Sequence, residues 1–276
     1  MPPELVVVEP AQRWPKLEGK SLWRHRDLAY FMSWRDIKVR YKQSLIGFGW
    51  ALLQPLVSMV VFTLVFSKVG HVSSQGVPYP VFVLAGIVPW NLFSNALQGS
   101  GASMVANMPL VTKVYFPRVI LPVSGALTCL VDFLVATLLL LVVMLYYGVV
   151  PQPTALLLPF LALLILVTAL GVGFWAAALV VKYRDIQQIL PFLVSIWLFL
   201  TPVVYPGNLL TSSGILRVIY SLNPMVGVVE LFRWALVGVP LPPATLVVPS
   251  FITTIVLFTT GFVYFTKTEQ SFADVI

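Results

Sequence analysis

Apolar positions gather in six long blocks separated by short polar or basic stretches. The blocks run Gly47 to Ser67, Tyr79 to Ser100, Val119 to Tyr147, Ala155 to Val181, Ile189 to Tyr205 and Leu246 to Phe265. Crossing about 30 Å of hydrocarbon takes about 20 apolar residues in helix, so each block predicts a membrane span. The third and fourth are long enough to tilt or to extend past the bilayer. The fifth is short and holds Pro191 and Pro202. The expected fold is an all-α polytopic membrane protein with six transmembrane helices, an N-terminal arm over residues 1–46 and a spanning domain over 47–276.

Between the fifth and sixth blocks the chain reads "PGNLLTSSGILRVIYSLNPMVGVVELFRWALVGVPL", Pro206 to Leu241. Two helical pieces are expected, Ile215 to Ser221 and Met225 to Val237. They break at Asn223-Pro224, because proline disfavours helix in the residue before it. Each piece is too short to cross and too apolar to float in water. A re-entrant or interfacial hairpin follows, tolerated where protein or a water-filled path covers its backbone. Glu230 and Arg233, three apart on the second piece, are placed to pair.

Ahead of the first block, "RDLAYFMSWRDIKVRYKQ" predicts an amphipathic helix from an N-cap at Asp27 to Gln43. Leu28, Phe31, Trp34, Ile37 and Tyr41 recur every three or four residues as its apolar stripe. Arg35, Lys38 and Lys42 are expected on the opposite face. Such a helix lies in the headgroup plane as a membrane anchor, or it offers its cations to a partner protein. Composition does not separate the two.

Hydrophobic residues make up 59% of the 276 and charged residues 10%, with a mean hydropathy of +0.93. A soluble domain holds roughly 45–50% and 25%, so too little polar surface exists here to hide the apolar side chains from water. Lysine and arginine placement sets the orientation. Fourteen of the seventeen fall on one side if the N-terminus is cytoplasmic, leaving only Lys68, Arg217 and Arg233 outside. Both termini are therefore expected in the cytoplasm, and the hairpin on the outer side. No cleavable leader is evident, since "LVVV" at Leu5 to Val8 falls short of the roughly 7–15 apolar residues one needs.

Chemistry is sparse. The single cysteine, Cys129, allows no disulfide framework or thiolate cluster, and His25 and His71 are far apart. Asp132 is the one acid inside a main span, which excludes a paired-aspartate protease; HExxH and Asp-x-Asp motifs are missing. A mid-span acid costs roughly 2.5–3.5 kcal/mol on insertion scales, so Asp132 is expected to face the bundle interior. There it either touches a substrate path or bonds a neighbouring helix. "EGKS" at Glu18 to Ser21 resembles the end of a phosphate loop, but Trp14 stands where that loop needs glycine. An ion-coupled carrier would show repeats, matched broken helices and intramembrane charges, and these are missing. Ala169, Gly173 and Ala177 form a small-residue ridge suited to close helix packing. Aromatics near span ends are either interface belts or rings lining a sugar conduit; Trp50 and Phe93 are the candidates for the second role.

Four stretches together resemble a known family: "RDIKVRYKQSLIGFGWALLQPL", "KVYFPRVILP", "YRDIQQILPFLVSIWLFLTPVVYP" and "NPMVGVVELFRWALVG". In this order and spacing they look like the membrane subunit of type-2 ABC exporters of polysaccharides, which move lipid-linked O-antigen, capsule or teichoic acid polymers. The resemblance implies a homodimer above two copies of a separate ABC ATPase that bind ATP and Mg, with no cofactor on this chain. It implies an interface helix carrying Arg35, Lys38 and Lys42. It also implies coupling contacts from a helix at Ser103 to Met108 in the first cytoplasmic loop, where Ser103, Met104 and Asn107 lie, and from Arg184 and Asp185. The expected cargo is an undecaprenyl-linked glycan at a bacterial cytoplasmic membrane, with membrane lipid as the surroundings and no nucleic acid. Capsule or teichoic acid as cargo, or another type-2 ABC exporter of drugs or lipids, are the alternatives.

Overall fold

The computed structural model describes residues 25–42, 47, 49–69, 73–114, 116–207 and 214–269. Most of the arm, including the "EGKS" stretch, lies outside the described residues, as does His71. Among the described residues eleven α-helices follow one another, with no strand. α1 is Arg26–Lys42; α2, Gly49–Phe62, continues as a π-helical tail, Thr63–Val69; α3 is Tyr79–Ala106; α4 is Met108–Lys113. α5, Ile120–Leu127, and α6, Cys129–Tyr146, form one apolar rod interrupted only at Thr128. A short 3-10 turn, Pro153–Leu157, leads into α7, Leu158–Lys182. α8 is Ile186–Phe199, α9 Gly214–Ser221, α10 Pro224–Val237 and α11 Ala244–Thr268.

Five of these rods are long and apolar enough to cross a membrane: Gly49–Ser67, Tyr79–Ala106, Ile120–Tyr146, Pro153–Lys182 and Ala244–Thr268. The fifth expected span departs from its forecast. α8 has 14 residues, about 21 Å of helix at 1.5 Å per residue. The chain then turns through Leu200 to Tyr205, because Pro202 has no N–H to continue the ladder. Asn223 ties this turn to the hairpin: its side chain accepts from the Trp197 indole and the Met225 amide, each at 3.0 Å, and donates to the Leu200 carbonyl at 3.0 Å.

α3 is the hub. It packs against α2, α5, α6, α7, α8 and α10, and 78% of its apolar window is buried, against 6% for α2. Two seams explain the closeness. The ridge Ala169, Gly173 and Ala177 faces inward on α7, where a β-carbon on Gly173 would stand 2.6 Å from Ser100 Cβ. Gly99 and Gly125 put the α3 and α5 backbones in contact; a β-carbon on Gly125 would lie 2.7 Å from the Gly99 carbonyl oxygen. Small residues permit such approach where larger ones keep helices apart.

α3 also runs six residues past the expected end of its span. Ser100, Gly101 and Ser103 read as loop composition but serve helix contacts: Ser100 donates to the Pro122 carbonyl at 2.8 Å. The expected helix at Ser103 to Met108 is therefore the end of α3, and the separate short helix is α4, Met108–Lys113. Proline is favoured in the first turn, where its missing N–H has no helical partner to lose, so Pro109 opens α4 rather than closing a helix before it.

Candidate functional site

α1 lies against the bundle end where α3 stops and α5 starts. Met32 and Ser33 are its buried residues, and Tyr30, Phe31 and Trp34 are exposed. The expected stripe therefore divides, with Leu28, Ile37 and Tyr41 half-buried and Phe31 and Trp34 outside. The cause is geometric: three-residue steps fall about 60° short of a turn, so Leu28, Phe31, Trp34 and Ile37 wind around the helix. The exposed side mixes rings and cations, with Lys38 Nζ 5.2 Å from the Trp34 ring centre and Lys42 exposed.

Three polar ties hold α1. Ser33 donates to the Ser124 carbonyl at 3.3 Å. Arg35 Nη2 donates to Asn107 Oδ1 at 2.6 Å while also engaging Asp36. Arg40 Nη1 lies 2.7 Å from Asp132 Oδ2, and the Tyr41 hydroxyl donates to Asp132 Oδ1. Two residues expected at a coupling surface, Arg35 and Asn107, are thus bonded to each other within the chain. Asn107, Ser103 and Met104 are buried; the exposed positions nearby are Pro109, Thr112 and Lys113 on α4. Arg184 and Asp185 are exposed in the turn that starts α8, where the Asp185 carbonyl accepts from the Ile189 amide at 3.0 Å.

Behind the Arg40–Asp132 pair opens a cavity of about 380 Å³ between α2, α3 and α6. Trp50 stands on its wall, 55% exposed, with Gln54 one turn further along α2. α3 contributes Asn91, Asn95 and Gln98. Gln98 donates to Ser94; Gln54, Asn91 and Asn95 have no side-chain hydrogen bond among the described residues. Burial and the bond to Asp132 hold the Tyr41 proton above its ordinary range, so Tyr41 stays a neutral donor. Of the two roles open to Asp132, a substrate path or a bond to a neighbouring helix, the bond is the one seen, to Arg40 and Tyr41 of α1, and Asp132 and Trp50 line the same cavity. Phe93 is elsewhere, fully buried against Trp90 and Trp197 at 5.4 and 5.1 Å between ring centres. Arg40, Tyr41, Gln54 and the α3 amides join this site only once the chain is folded. Asn91, Asn95 and Gln98 carried a signal, since their i, i+4, i+7 spacing puts three amides on one face of an otherwise apolar helix.

At the other end of the bundle Glu230 and Arg233 form a buried pair, 3.2 Å apart. Arg233 is fully buried. It donates to the carbonyls of Phe82 at 3.2 Å, Tyr205 at 3.5 Å and Val203, and its guanidinium lies 3.8 Å from the Phe82 ring centre. Glu230 also accepts from the Gly207 amide at 2.9 Å, and Tyr79 donates to the Val204 carbonyl at 2.6 Å. Gly86 makes the room: a β-carbon there would lie 2.5 Å from Arg233 Nη2. The knot fastens α10 to the start of α3 and to the turn after α8. α10 is buried nearly throughout and stops at Gly238, whose φ of 83° lies in the left-handed region that glycine tolerates.

The chain is thus a bundle of apolar helices with a cationic surface helix and a cavity lined by amides. The chain is 31% identical to the O-antigen export system permease protein RfbA of Myxococcus xanthus, over 93% of this chain and 98% of that one. It is 25% identical to the O-antigen export system permease protein RfbA of Klebsiella pneumoniae, over 91% and 95%. It is 26% identical to the polysialic acid transport protein KpsM of Escherichia coli, over 73% and 78%. Residues 28–237 match the model of the ABC-2 type transporter family. With that match spanning most of the chain, and with a relative above 30% identity aligned nearly end to end, this protein belongs to the ABC-2 type transporter family.

Proposed function

We propose that this chain is the permease subunit of an ATP-driven exporter that carries a lipid-linked polysaccharide of the O-antigen type across a bacterial cytoplasmic membrane. The observation that carries this reading is the nearly full-length likeness to an O-antigen export permease. Two copies of the chain pair above two ABC ATPase subunits, which bind ATP and Mg and perform the hydrolysis. Both termini, α1, α4 and the 183–185 turn face the cytoplasm. α8 with the turn after it makes the sixth crossing, and α9 with α10 forms the re-entrant hairpin on the outer side. Support for pairing comes from α2, 6% buried, and from α8, which leaves Phe192, Ile196 and Phe199 exposed.

In this mechanism ATP draws the ATPases together against α1, α4 and the 183–185 turn. The push reaches α2 because only a short connection separates it from α1. The two permeases part along the faces of α2 and α8, opening a continuous path. A polymer longer than the membrane is thick does not fit an alternating pocket, so extrusion through a path is the simpler physical route. Depletion of the protein in its source cell tests the reading. Build-up of lipid-linked glycan on the cytoplasmic side with loss of surface polymer is expected, and sugar analysis of the trapped material separates O-antigen from the capsule-type cargo suggested by the KpsM likeness. Unchanged surface glycan with no build-up would overturn it.

A further inference from the structure

We infer that the cavity between α2, α3 and α6 is a binding subsite for an uncharged sugar unit, formed within one protomer by Gln54, Asn91 and Asn95 with Trp50 as its wall. The inference rests on the glycan-export reading and adds the residues and the chemistry of contact. At about 380 Å³ the cavity lies within the roughly 300–1,000 Å³ of small-molecule sites.

Three observations select the ligand class. Gln54, Asn91 and Asn95 reach the cavity with no hydrogen bond among the described residues. Asn91 and Asn95 are half-buried and Gln54 is exposed, so three open amides on one wall suit a molecule dense in donors and acceptors. An amide offers both, which suits hydroxyl groups that also do both. Trp50 is the second observation: its half-exposed ring presents a flat apolar face, against which the C–H face of a pyranose stacks without fixing its rotation.

Charge is the third. Arg40, the cation on this wall, is already paired with Asp132 at 2.7 Å. The two charges cancel, so the wall is close to neutral toward a ligand. A phosphate or diphosphate would either displace Asp132 or sit beside its carboxylate, and like charges a few ångströms apart repel strongly in a low-dielectric site. The pair thus closes the rim against anionic headgroups while its oxygens and N–H groups remain usable by a hydroxyl.

Photo-crosslinking in the source cell, with the partner ATPase present, tests this. p-Benzoylphenylalanine is placed singly at Asn95, at Gln54 and at Leu138, which is exposed on α6 away from the cavity. Gln54 is exposed on α2, so the bulky side chain there meets no packed neighbour within the protomer, whereas at half-buried Asn95 it does. After illumination of cells making the glycan, a periodate-stainable ladder on the permease is expected at Asn95 or Gln54 and not at Leu138. Asn95→Leu should lower export about tenfold, the equivalent of about 1.4 kcal/mol, with membrane level and ATP hydrolysis retained. No ladder at either position in a complex that still exports would overturn the subsite, as would capture of lipid phosphate without sugar. Equal ladders at all three positions would overturn it too. Depletion separates the layers: if surface glycan does not depend on this chain, the export reading fails first; if it does depend and both positions stay silent, the subsite alone fails.

Discussion

Replacing Arg233 with methionine should be the most damaging single change on α10, and more damaging than Glu230→Gln at the other half of the same pair. Arg233 is fully buried and donates to Glu230 and to the carbonyls of Phe82, Val203 and Tyr205. Methionine fills much of the space but leaves Glu230 as a buried carboxylate with only the Gly207 amide at 2.9 Å. Breaking a buried ion pair from one side costs about 3–5 kcal/mol, and the Val203 and Tyr205 carbonyls, which lie outside any helix, lose their donor as well. Glu230→Gln keeps an oxygen for Gly207 and leaves Arg233 its carbonyl acceptors, so about 1–3 kcal/mol is expected. Removing both charges together, as Glu230→Leu with Arg233→Met, should cost less than the two single changes added, because no carboxylate is then stranded. Thermal unfolding of the purified protein in detergent reads these differences; at a few degrees per kcal/mol, Arg233→Met should lower Tm by about 10 °C. Equal losses for the two single changes, or a loss below about 0.5 kcal/mol for Arg233→Met, would refute the account of the knot.

Gly125→Ala should destabilise by about 1–3 kcal/mol, since the new methyl meets the Gly99 carbonyl, which is backbone and does not rotate away; Tm of the same preparation checks it. Arg35→Ala, Lys38→Ala and Lys42→Ala combined should lower export and ATPase co-purification more than the amount of protein in the membrane, and unchanged export would remove the interface role of α1. Glu269 closes the end of α11 by accepting from the Arg118 amide at 3.2 Å. Burial raises its pKa, with Arg118 partly opposing. The folded state therefore holds this proton more tightly than the unfolded state, so local stability falls as pH rises from the ordinary glutamate range near about 4.3 through the raised value. Hydrogen exchange at the end of α11 should speed over that window, and Glu269→Gln should flatten the dependence.

Much of the bundle was legible because the bilayer imposes a length rule that apolar blocks obey. Asn223-Pro224 announced the hairpin break within a residue, since proline acts on its neighbour whatever surrounds it. Legibility failed where polar residues serve helix contacts instead of water. Ser100, Gly101 and Ser103 look like a loop, yet they carry α3 onward because small side chains let α7 and α5 come close. The stripe on α1 divided for a different reason: repeated three-residue steps drift around the helix, so Leu28, Phe31, Trp34 and Ile37 do not share one face. At the cavity, Trp50 and Asp132 stood out as rare types, whereas Arg40 looked like one more cation of a basic helix until folding brought it to Asp132, 92 residues away. Phe93 shared the outward look of Trp50 in sequence, but the hub position of α3 turned it into core.

The glycine contacts divide the protomer mechanically. Gly99 meets Gly125, and Gly261 meets the Gly171 carbonyl, so α3 touches α5 and α7 touches α11 backbone to backbone, and Gly173 seats the Ser100 side chain between the two pairs. Rods in such contact cannot slide by even one residue without driving a side chain into a peptide group. That makes them the candidate stator. In the proposed mechanism, displacement delivered through α1 would therefore be left to the lightly held α2 and to α8, moving against this frame.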